Sequence, residues 1–160
     1  MKKTTHDSET LALNQQVISA CAVIYTYIEG KINIFMPRRA ETKKFLPGLY
    51  ELPGGHINFG EDLIVGLKRE IQEELNMDVD IENPIYAFTY LNDIKKSHTV
   101  EIIYLARFIT PLQNLKINYQ DHSEFIWINK ENLELLKVQK QEDDHELKAI
   151  MKALELLDHK

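Results

Sequence analysis

The chain has 160 residues, of which 44% are hydrophobic and 28% charged, an ordinary composition for one soluble globular domain. Its 25 Asp and Glu outnumber its 19 Lys and Arg, so the formal net charge of −6 argues against binding of polymeric nucleic acid by a basic surface. No apolar run reaches the roughly 18–20 residues of a membrane span, and the single cysteine excludes an intramolecular disulfide.

The first 16 residues are polar, and we expect them to be flexible. No apolar core follows Lys2 and Lys3, so this segment lacks the features of a secretory signal and a cytoplasmic location is the default expectation. One domain would then span residues 17–160.

The next segments predict a strand hairpin followed by a loop. Val17–Ile28 is rich in Val, Ile, Tyr and Ala, which is typical of a buried strand, and Cys21 within it is expected to be a small buried hydrophobic residue. Glu29-Gly30 predicts a turn into the alternating strand Lys31–Met36. Residues 37–48 carry five charges between Pro37 and the Pro47-Gly48 pair, a pattern typical of a loop.

The remaining segments alternate between strand and helix patterns. A short extended piece, Leu49–Leu52, ends at Pro53-Gly54-Gly55. The elements predicted after it are a helix over Glu61–Asn76, strands over Val79–Leu91, Thr99–Thr110 and Phe125–Ile128, a short helix over Asn129–Lys137, and a longer helix over Asp143–Asp158 with an apolar stripe of Leu147, Ile150, Met151, Leu154 and Leu157. Strands flanked by helices predict a single α/β or α+β domain.

The excess negative charge is confined to one stretch. Glu61 to Glu82 contains eight acids and two bases, whereas the rest of the chain has 17 of each. Leu63, Leu67, Ile71 and Leu75 follow one another at intervals of four and form the apolar stripe of the helix in this stretch. The acidity of the protein is therefore a local property of this helix and its flanks.

Three carboxylates lie on one arc of that helix. Glu70, Glu73 and Glu74 are spaced at i, i+3 and i+4, so they repel one another, and they lie in the C-terminal half, where the helix dipole disfavours anions. A divalent cation would reverse this cost, because hard cations prefer clustered carboxylate oxygens. A solvated acidic face is the alternative interpretation.

Two glycine positions favour the metal hypothesis. Gly66 lies inside the helix one turn before Glu70, where it leaves room beside the carboxylates at a cost of roughly 1 kcal/mol relative to Ala. Pro53-Gly54-Gly55 places backbone without side chains before the helix, which suits close approach of a ligand or a carbonyl offered to a metal. Close helix packing and a plain tight turn are the respective alternatives.

These residues together resemble the box of the Nudix hydrolase family, G-x5-E-x7-R-E-U-x-E-E-x-G-U, where U is a bulky aliphatic residue. Gly55, Glu61 and the run from Arg69 to Met77 meet eight of its nine defined positions. The exception is Asn76, which stands where the pattern has Gly. Asn is the next-best residue for the left-handed conformation that ends a helix, so we expect the chemistry to be unaffected.

The resemblance implies a Nudix-type α/β/α sandwich with a mixed sheet and a hydrolase that acts on a nucleoside diphosphate linked to another moiety, with Mg²⁺ or Mn²⁺. By position, Glu70, Glu73 and Glu74 would bind the metal together with the backbone carbonyl of Gly54. Arg69 would orient the glutamates, and Glu61 would assist the metal site or pair with Arg69.

The resemblance leaves the general base and the substrate contacts open. Asp121 and Glu124, shortly before Trp127, resemble a later loop that supplies the base in some members of the family, although a box glutamate is the alternative. Arg38 and Arg39 resemble the Arg pair of MutT-like members and are candidates to bind phosphate or base, with solvated loop charge as the alternative. Candidates to stack on a base are Phe45, Leu49, Tyr50, Phe88 and Tyr90, for most of which core packing is the alternative.

The leading hypothesis is a metal-dependent pyrophosphohydrolase that converts a (deoxy)nucleoside triphosphate into a monophosphate and pyrophosphate. The alternatives are an ADP-sugar or dinucleotide polyphosphate pyrophosphatase and a catalytically silent Nudix-fold sensor of nucleotides. The intact acidic set favours an enzyme over a sensor. The expected partner is a small-molecule nucleotide, without polymeric nucleic acid or membrane. Homodimers are common in such families, but the sequence leaves the oligomeric state open.

Overall fold

The computed structural model describes residues 9–141 and 143–160. The expectation of a flexible N-terminal segment falls, for residues 1–8, outside the described residues. From Ala12 onward the chain is hydrogen-bonded: the Ala12 amide donates to the Lys95 carbonyl at 2.9 Å. None of the helices in these ranges is long and apolar enough to cross a membrane.

The fold is built on one mixed sheet. Within the described ranges the strands are β1 (Gln16–Ile28), β2 (Lys31–Arg39), β3 (Gly54–His56), β4 (Val79–Asn92), β5 (Ser97–Phe108) and β6 (His122–Ile128). The strand order is β4-β5-β1-β2-β6, and β3 also pairs with β1. The long β1 pairs in parallel with β5, whereas the other neighbours are antiparallel. The predicted mixed sheet in a single α+β domain is confirmed.

Helices cover both faces of the sheet, and β1 shows how the sequence builds the two layers. Side chains of a strand alternate between faces, so Ala20 and Ala22 pack with helix α1 (Leu63–Leu75), while Cys21 and Val23 pack with helix α3 (His145–Asp158). Cys21 is 7% exposed, as expected for a small buried residue. Because both faces are buried, β1 reads as a continuous apolar run.

The predicted first helix is confirmed with slightly shorter bounds. Asp62 is its N-cap, and its side chain accepts hydrogen bonds from the amides of Ile64 and Val65. Leu67, Ile71 and Leu75 are fully buried. Asn76 ends the helix with φ 56° and ψ 38°, the left-handed conformation that its place in the box predicts.

The C-terminal helices correct two details. The short helix α2 covers only Glu134–Lys137, because the side chains of Asn129 and Asn132 accept backbone hydrogen bonds in the segment before it. In α3 the predicted stripe is wrong at Met151, which is 50% exposed. The small residues Ala149 and Ala153 are buried in its place, since they let the helix pack close to the sheet.

Two strands extend further than predicted, and this matters for the cleft described below. β2 continues through Pro37 to Arg39, and β6 begins at His122, because the two ends pair with each other. Pro37 is tolerated because it pairs near the end of this ladder, opposite Phe125. The charged loop therefore begins after Arg39, and both arginines lie at the end of a strand.

We expect Asn76→Ala to lower the free energy of unfolding by about 1 kcal/mol, because alanine tolerates the left-handed conformation poorly. Asn76→Gly should leave it unchanged or raise it by up to about 1 kcal/mol. Urea denaturation of both variants checks this. Equal stabilities of the alanine and glycine variants would show that the backbone conformation of Asn76 does not limit stability.

Candidate active site

Two glycines bring the start of β3 against the acids of α1. Gly54 has φ 140°, and a Cβ there would overlap the carbonyl oxygen of Ala20 on β1. A Cβ on Gly55 would lie 2.6 Å from Glu70 Oε2. The Gly54 amide donates to Glu74 Oε2 at 3.1 Å. The glycine pair therefore lets two carboxylates of α1 approach the backbone of β3.

The guanidinium of Arg69 organises the acids around it. Its Nε and Nη2 donate to both oxygens of Glu61 at 2.8 and 2.9 Å, a bidentate pair. Its Nη1 donates to Glu70 Oε1 at 2.8 Å and to Glu73 Oε1 at 3.4 Å. Its Nη2 also donates to the His56 carbonyl at 3.0 Å. The predicted pairing of Glu61 with Arg69 and the orienting contact to Glu70 are both present.

Gly66 makes room for the carboxylate of Glu61. A Cβ at Gly66 would lie 2.6 Å from Glu61 Oε1 and 2.6 Å from Ile57 Cδ1. Glu61 has little freedom to move aside, because Arg69 holds both of its oxygens and the Asn58 amide donates to Oε1 at 3.1 Å. The glycine therefore protects the Glu61–Arg69 pair.

The three box glutamates have different environments. Burial raises the pKa of Glu70 to about 7 even though the Arg69 guanidinium opposes the shift. Burial, followed by the charges of Glu51 and Glu70, raises the pKa of Glu74 well above its usual value. The side chain of Glu73 is 55% exposed. Two of the three carboxylates are therefore costly to ionise until positive charge enters the cleft.

The donors around the cleft fit a hard divalent cation in their chemistry. In the described part of the chain, no three His, Cys, Asp or Glu side chains are grouped tightly enough to form a ready metal site. However, Glu70, Glu73 and Glu74 all line one cleft with Gly54. Buried carboxylates that repel one another are stabilised by such an ion, which prefers oxygen ligands. The chemistry of the predicted set therefore fits a hard divalent cation.

Sequence reasoning missed Glu51, which lies in the same cleft. Its backbone amide donates to the Pro37 carbonyl at 2.9 Å, and its carboxylate lies 3.0 Å from Arg39 Nη1 and 2.8 Å from His122 Nε2. Burial opposes ionisation of Glu51, but His122 and Arg39 lower its pKa below the usual value. Sequence reasoning also assigns no role to His122, whose side chain is only 1% exposed.

The two candidates for the later acid are separated by the structure. Asp121 lines the cleft, and its Oδ1 lies 2.8 Å from Lys43 Nζ. Glu124 instead accepts from the hydroxyl of Tyr50 at 3.0 Å and lies 3.5 Å from Arg38 Nη1. Glu124 is not among the described residues that line the cleft. The geometry therefore favours Asp121 over Glu124 as the acid that faces a ligand.

The two predicted arginines also differ. Arg39 lines the cleft, and besides Glu51 it donates from Nε to the Phe45 carbonyl at 2.8 Å. Arg38 donates to the Gly48 carbonyl at 2.8 Å and pairs with Glu41 at 3.0 Å, outside the described lining of the cleft. Both arginines thus hold the 40–50 loop, but only Arg39 also lines the cleft.

The cleft has a volume of about 590 Å³ and continues from the acids of α1 to an aromatic region. All of the predicted stacking candidates line it: Phe45, Leu49, Tyr50, Phe88 and Tyr90. Sequence reasoning missed the polar residues of this region, which include Lys43, Glu101, Lys140 and Glu146. These side chains come from β5, α3 and loops that the sequence does not mark as related.

Comparison with known proteins gives consistent results. The NUDIX domain family model matches residues 17–151. An uncharacterised Nudix hydrolase of Nostoc is 37% identical over 63 residues, which cover 38% of this chain and only 37% of that protein. The nucleoside triphosphatase NudI of Escherichia coli is 27% identical over 104 residues, covering 60% of this chain and 72% of NudI. The MutT protein of Methanosarcina mazei superposes with a TM-score of 0.69 at 20% identity, covering 92% and 98% of the two chains.

Replacing Gly66 by Ala tests the packing of Glu61. In an ordinary helix this change stabilises by about 1 kcal/mol, but here we expect a loss, because the new Cβ displaces a carboxylate held by Arg69. In a Glu61→Ala background only the close contact with Ile57 Cδ1 remains, so the same change should cost less, and a double-mutant cycle should give a clear coupling energy. Lys68→Ala on the exposed face serves as the control. If Gly66→Ala stabilises the otherwise wild-type protein, Gly66 is not needed to leave room for the carboxylate of Glu61.

Proposed function

From the premise that this chain belongs to the Nudix family and is a hydrolase of pyrophosphate bonds, we propose that it cleaves a (deoxy)nucleoside triphosphate into a monophosphate and pyrophosphate. One observation carries the proposal: a single cleft of about 590 Å³, within the usual range of small-molecule sites, joins the carboxylates of α1 to an aromatic region. The similarity to a nucleoside triphosphatase supports the same substrate class.

The acidic end of the cleft would hold the metal. Mg²⁺ or Mn²⁺ would be bound by Glu70, Glu73, Glu74 and the Gly54 carbonyl. Such an ion would lower the pKa of the attacking water and neutralise charge on the phosphoryl oxygens. A triphosphate is repelled by these acids without such an ion. Burial above all raises the pKa values of Glu70 and Glu74, and the charges of neighbouring acids add to this effect.

Other residues in and beside the cleft position the glutamates, the attacking water and the phosphates. Arg69 orients Glu70 and Glu73 through Nη1. In the free protein Asp121 is paired with Lys43. When Lys43 turns from Asp121 to the phosphates, Asp121 can accept the proton of the attacking water. Lys43 then serves as a phosphate contact. Glu124 contributes by fixing Tyr50.

Arg39 is the better substrate contact of the predicted arginine pair. It lies in the cleft beside Glu51, so rearrangement of that ion pair would free its fork for a phosphate or a base. Arg38 acts indirectly, because it fixes the loop that carries Lys43 and Phe45. A silent sensor would need neither the three glutamates nor the Glu61–Arg69 pair that supports them, so an active enzyme is the better interpretation.

Glu74→Gln separates the metal role from folding. The amide keeps an oxygen acceptor for the Gly54 amide and removes a carboxylate whose ionisation is disfavoured, so stability without metal should be unchanged or higher. We expect turnover to fall about 100-fold or more and the rise in melting temperature with Mg²⁺ to disappear. Glu155→Gln, on the exposed side of α3, is the matched control. Near-normal turnover by Glu74→Gln would contradict the proposal that Glu74 is a metal ligand.

A turnover screen tests the substrate. Purified protein is assayed with nucleoside triphosphates, an ADP-sugar and a dinucleotide polyphosphate, each with Mg²⁺, Mn²⁺ or EDTA. We expect release of pyrophosphate from a triphosphate that depends on the metal and is lost in EDTA. Faster turnover of the ADP-sugar or the dinucleotide would favour the alternative pyrophosphatase. Binding without turnover of any of them would favour the sensor.

A further inference from the structure

One row of residues crosses the sheet along the cleft. His56 on β3 lies opposite Ser19 on β1, Ser19 lies opposite Glu101 on β5, and Glu101 lies opposite Phe88 on β4. All four residues line the cleft. Because neighbouring strands are about 4.8 Å apart, Glu101 lies roughly 10 Å from β3, and Phe88 lies one strand further. The register of the strands therefore fixes the order of these residues along the cleft.

The two ends of this row differ in chemistry. At one end, the His56 carbonyl accepts from Arg69 Nη2 at 3.0 Å, on the strand that also carries the proposed metal-binding carbonyl. At the other end, the rings of Phe88 and His145 are stacked, with centroids 4.6 Å apart and planes at 14°, and an aromatic face is suited to a nucleotide base. The sugar of a nucleotide lies between its phosphates and its base. A nucleotide with its phosphates at the metal end and its base at Phe88 therefore places its sugar over Glu101.

Glu101 has a buried oxygen atom that lacks a partner. The residue is 6% exposed, and its Oε1 has no hydrogen-bond partner among the residues the structure describes. The other buried side-chain atoms without a partner in the described ranges are Ser97 Oγ, Thr99 Oγ1 and His122 Nδ1, and none of these three residues belongs to the described lining of the cleft. A buried polar atom without a partner is costly, so a ligand that supplies one at Glu101 gains affinity.

The polar groups beside Glu101 are already engaged. Glu146 Oε2 lies 3.0 Å from Lys140 Nζ, and its Oε1 accepts from the Leu52 amide at 3.4 Å. The hydroxyl of Ser19 donates to a carbonyl of β3 at 3.2 Å. The Oε1 of Glu101 is therefore the acceptor that this part of the cleft leaves for a ligand.

We propose that Glu101 binds a hydroxyl group of the sugar of the nucleotide and thereby determines which sugars the cleft accepts. This inference rests on the proposed function for the class of ligand. It goes beyond that function because it names the part of the ligand that is recognised and the residue that recognises it.

The selection does not depend on the protonation state of Glu101. A hydroxyl group both donates and accepts, so it pairs with a carboxyl group that is either ionised or neutral. A deoxygenated sugar carbon can do neither, and it would leave the buried oxygen of Glu101 without a partner inside a closed complex. A site built around a substrate hydroxyl rejects the analogue that lacks it for this reason.

Binding of nucleoside monophosphates tests the proposal without turnover, because they contain no anhydride to cleave. Affinities of the full chain for AMP and for its 2′-deoxy and 3′-deoxy analogues are measured by calorimetry with Mg²⁺. We expect loss of the contacted hydroxyl to weaken binding about tenfold, and the weakened analogue identifies that hydroxyl. The uridine series should show the same loss, since the contact is to the sugar. Equal affinities for AMP and both analogues, or no binding of AMP, would overturn the proposal.

Two variants assign the hydroxyl contact to Glu101. Glu101→Leu removes both oxygens at similar size, so it should bind AMP and its two analogues about equally, at the level of the weakened analogue. Glu101→Gln keeps an acceptor and a donor for a hydroxyl, so it should retain the difference between the analogues. A purely structural role of Glu101 would weaken all three ligands in parallel. A hydroxyl effect that persists in Glu101→Leu would contradict the proposal.

Ser97→Ala is the matched control, because Ser97 lies on the same strand and has a buried Oγ without a partner in the described ranges, but is not among the residues that line the cleft. It should keep the affinities of the wild type, and circular dichroism should show that both Glu101 variants are folded. If triphosphates are not hydrolysed but the hydroxyl effect depends on Glu101, the proposed function fails and the sugar contact stands. If triphosphates are hydrolysed and AMP binds like both of its analogues, the reverse holds.

Discussion

The arrangement of the cleft depends on one guanidinium. Arg69 binds Glu61 with two hydrogen bonds and reaches Glu70, Glu73 and the His56 carbonyl, so it joins the loop before α1, the strand β3 and the acidic face of the helix. Without it, Glu70 and Glu73 would repel each other on the same face of the helix. Arginine suits this position because its planar fork offers donors in several directions and stays charged.

Beyond the reach of Arg69, the cleft balances its acids by other means. Glu51 is ionised because Arg39 and His122 contact it, whereas burial favours the protonated forms of Glu74 and Glu101. Burying several acids together therefore costs the free protein stability. A ligand with complementary charge or hydrogen bonds would reduce that cost. Such a site gains more from binding than a neutral one, because binding removes an existing penalty.

Local patterns in the sequence predicted most of the fold, but they did not predict the contacts between segments that are distant in the chain. The apolar run of β1 and the four-residue spacing of Leu67, Ile71 and Leu75 are properties of single elements, so periodicity reveals them. The box spacing likewise places Arg69 next to its acids. Glu51 meets His122 only because β2 pairs with β6, and Glu101 enters the cleft only through the register of β5 with β1 and β4. Pairing of that kind leaves no local signal.

The position of Cys21 has a consequence for the redox behaviour of the protein. Burial, followed by the charge of Glu101, raises the pKa of this thiol well above its usual value, so the reactive thiolate is scarce in the folded state. The only cysteine of the chain should therefore react slowly with oxidants and alkylating reagents, although it lines the cleft. Because its side chain lines the cleft, a ligand bound there should slow its labelling further.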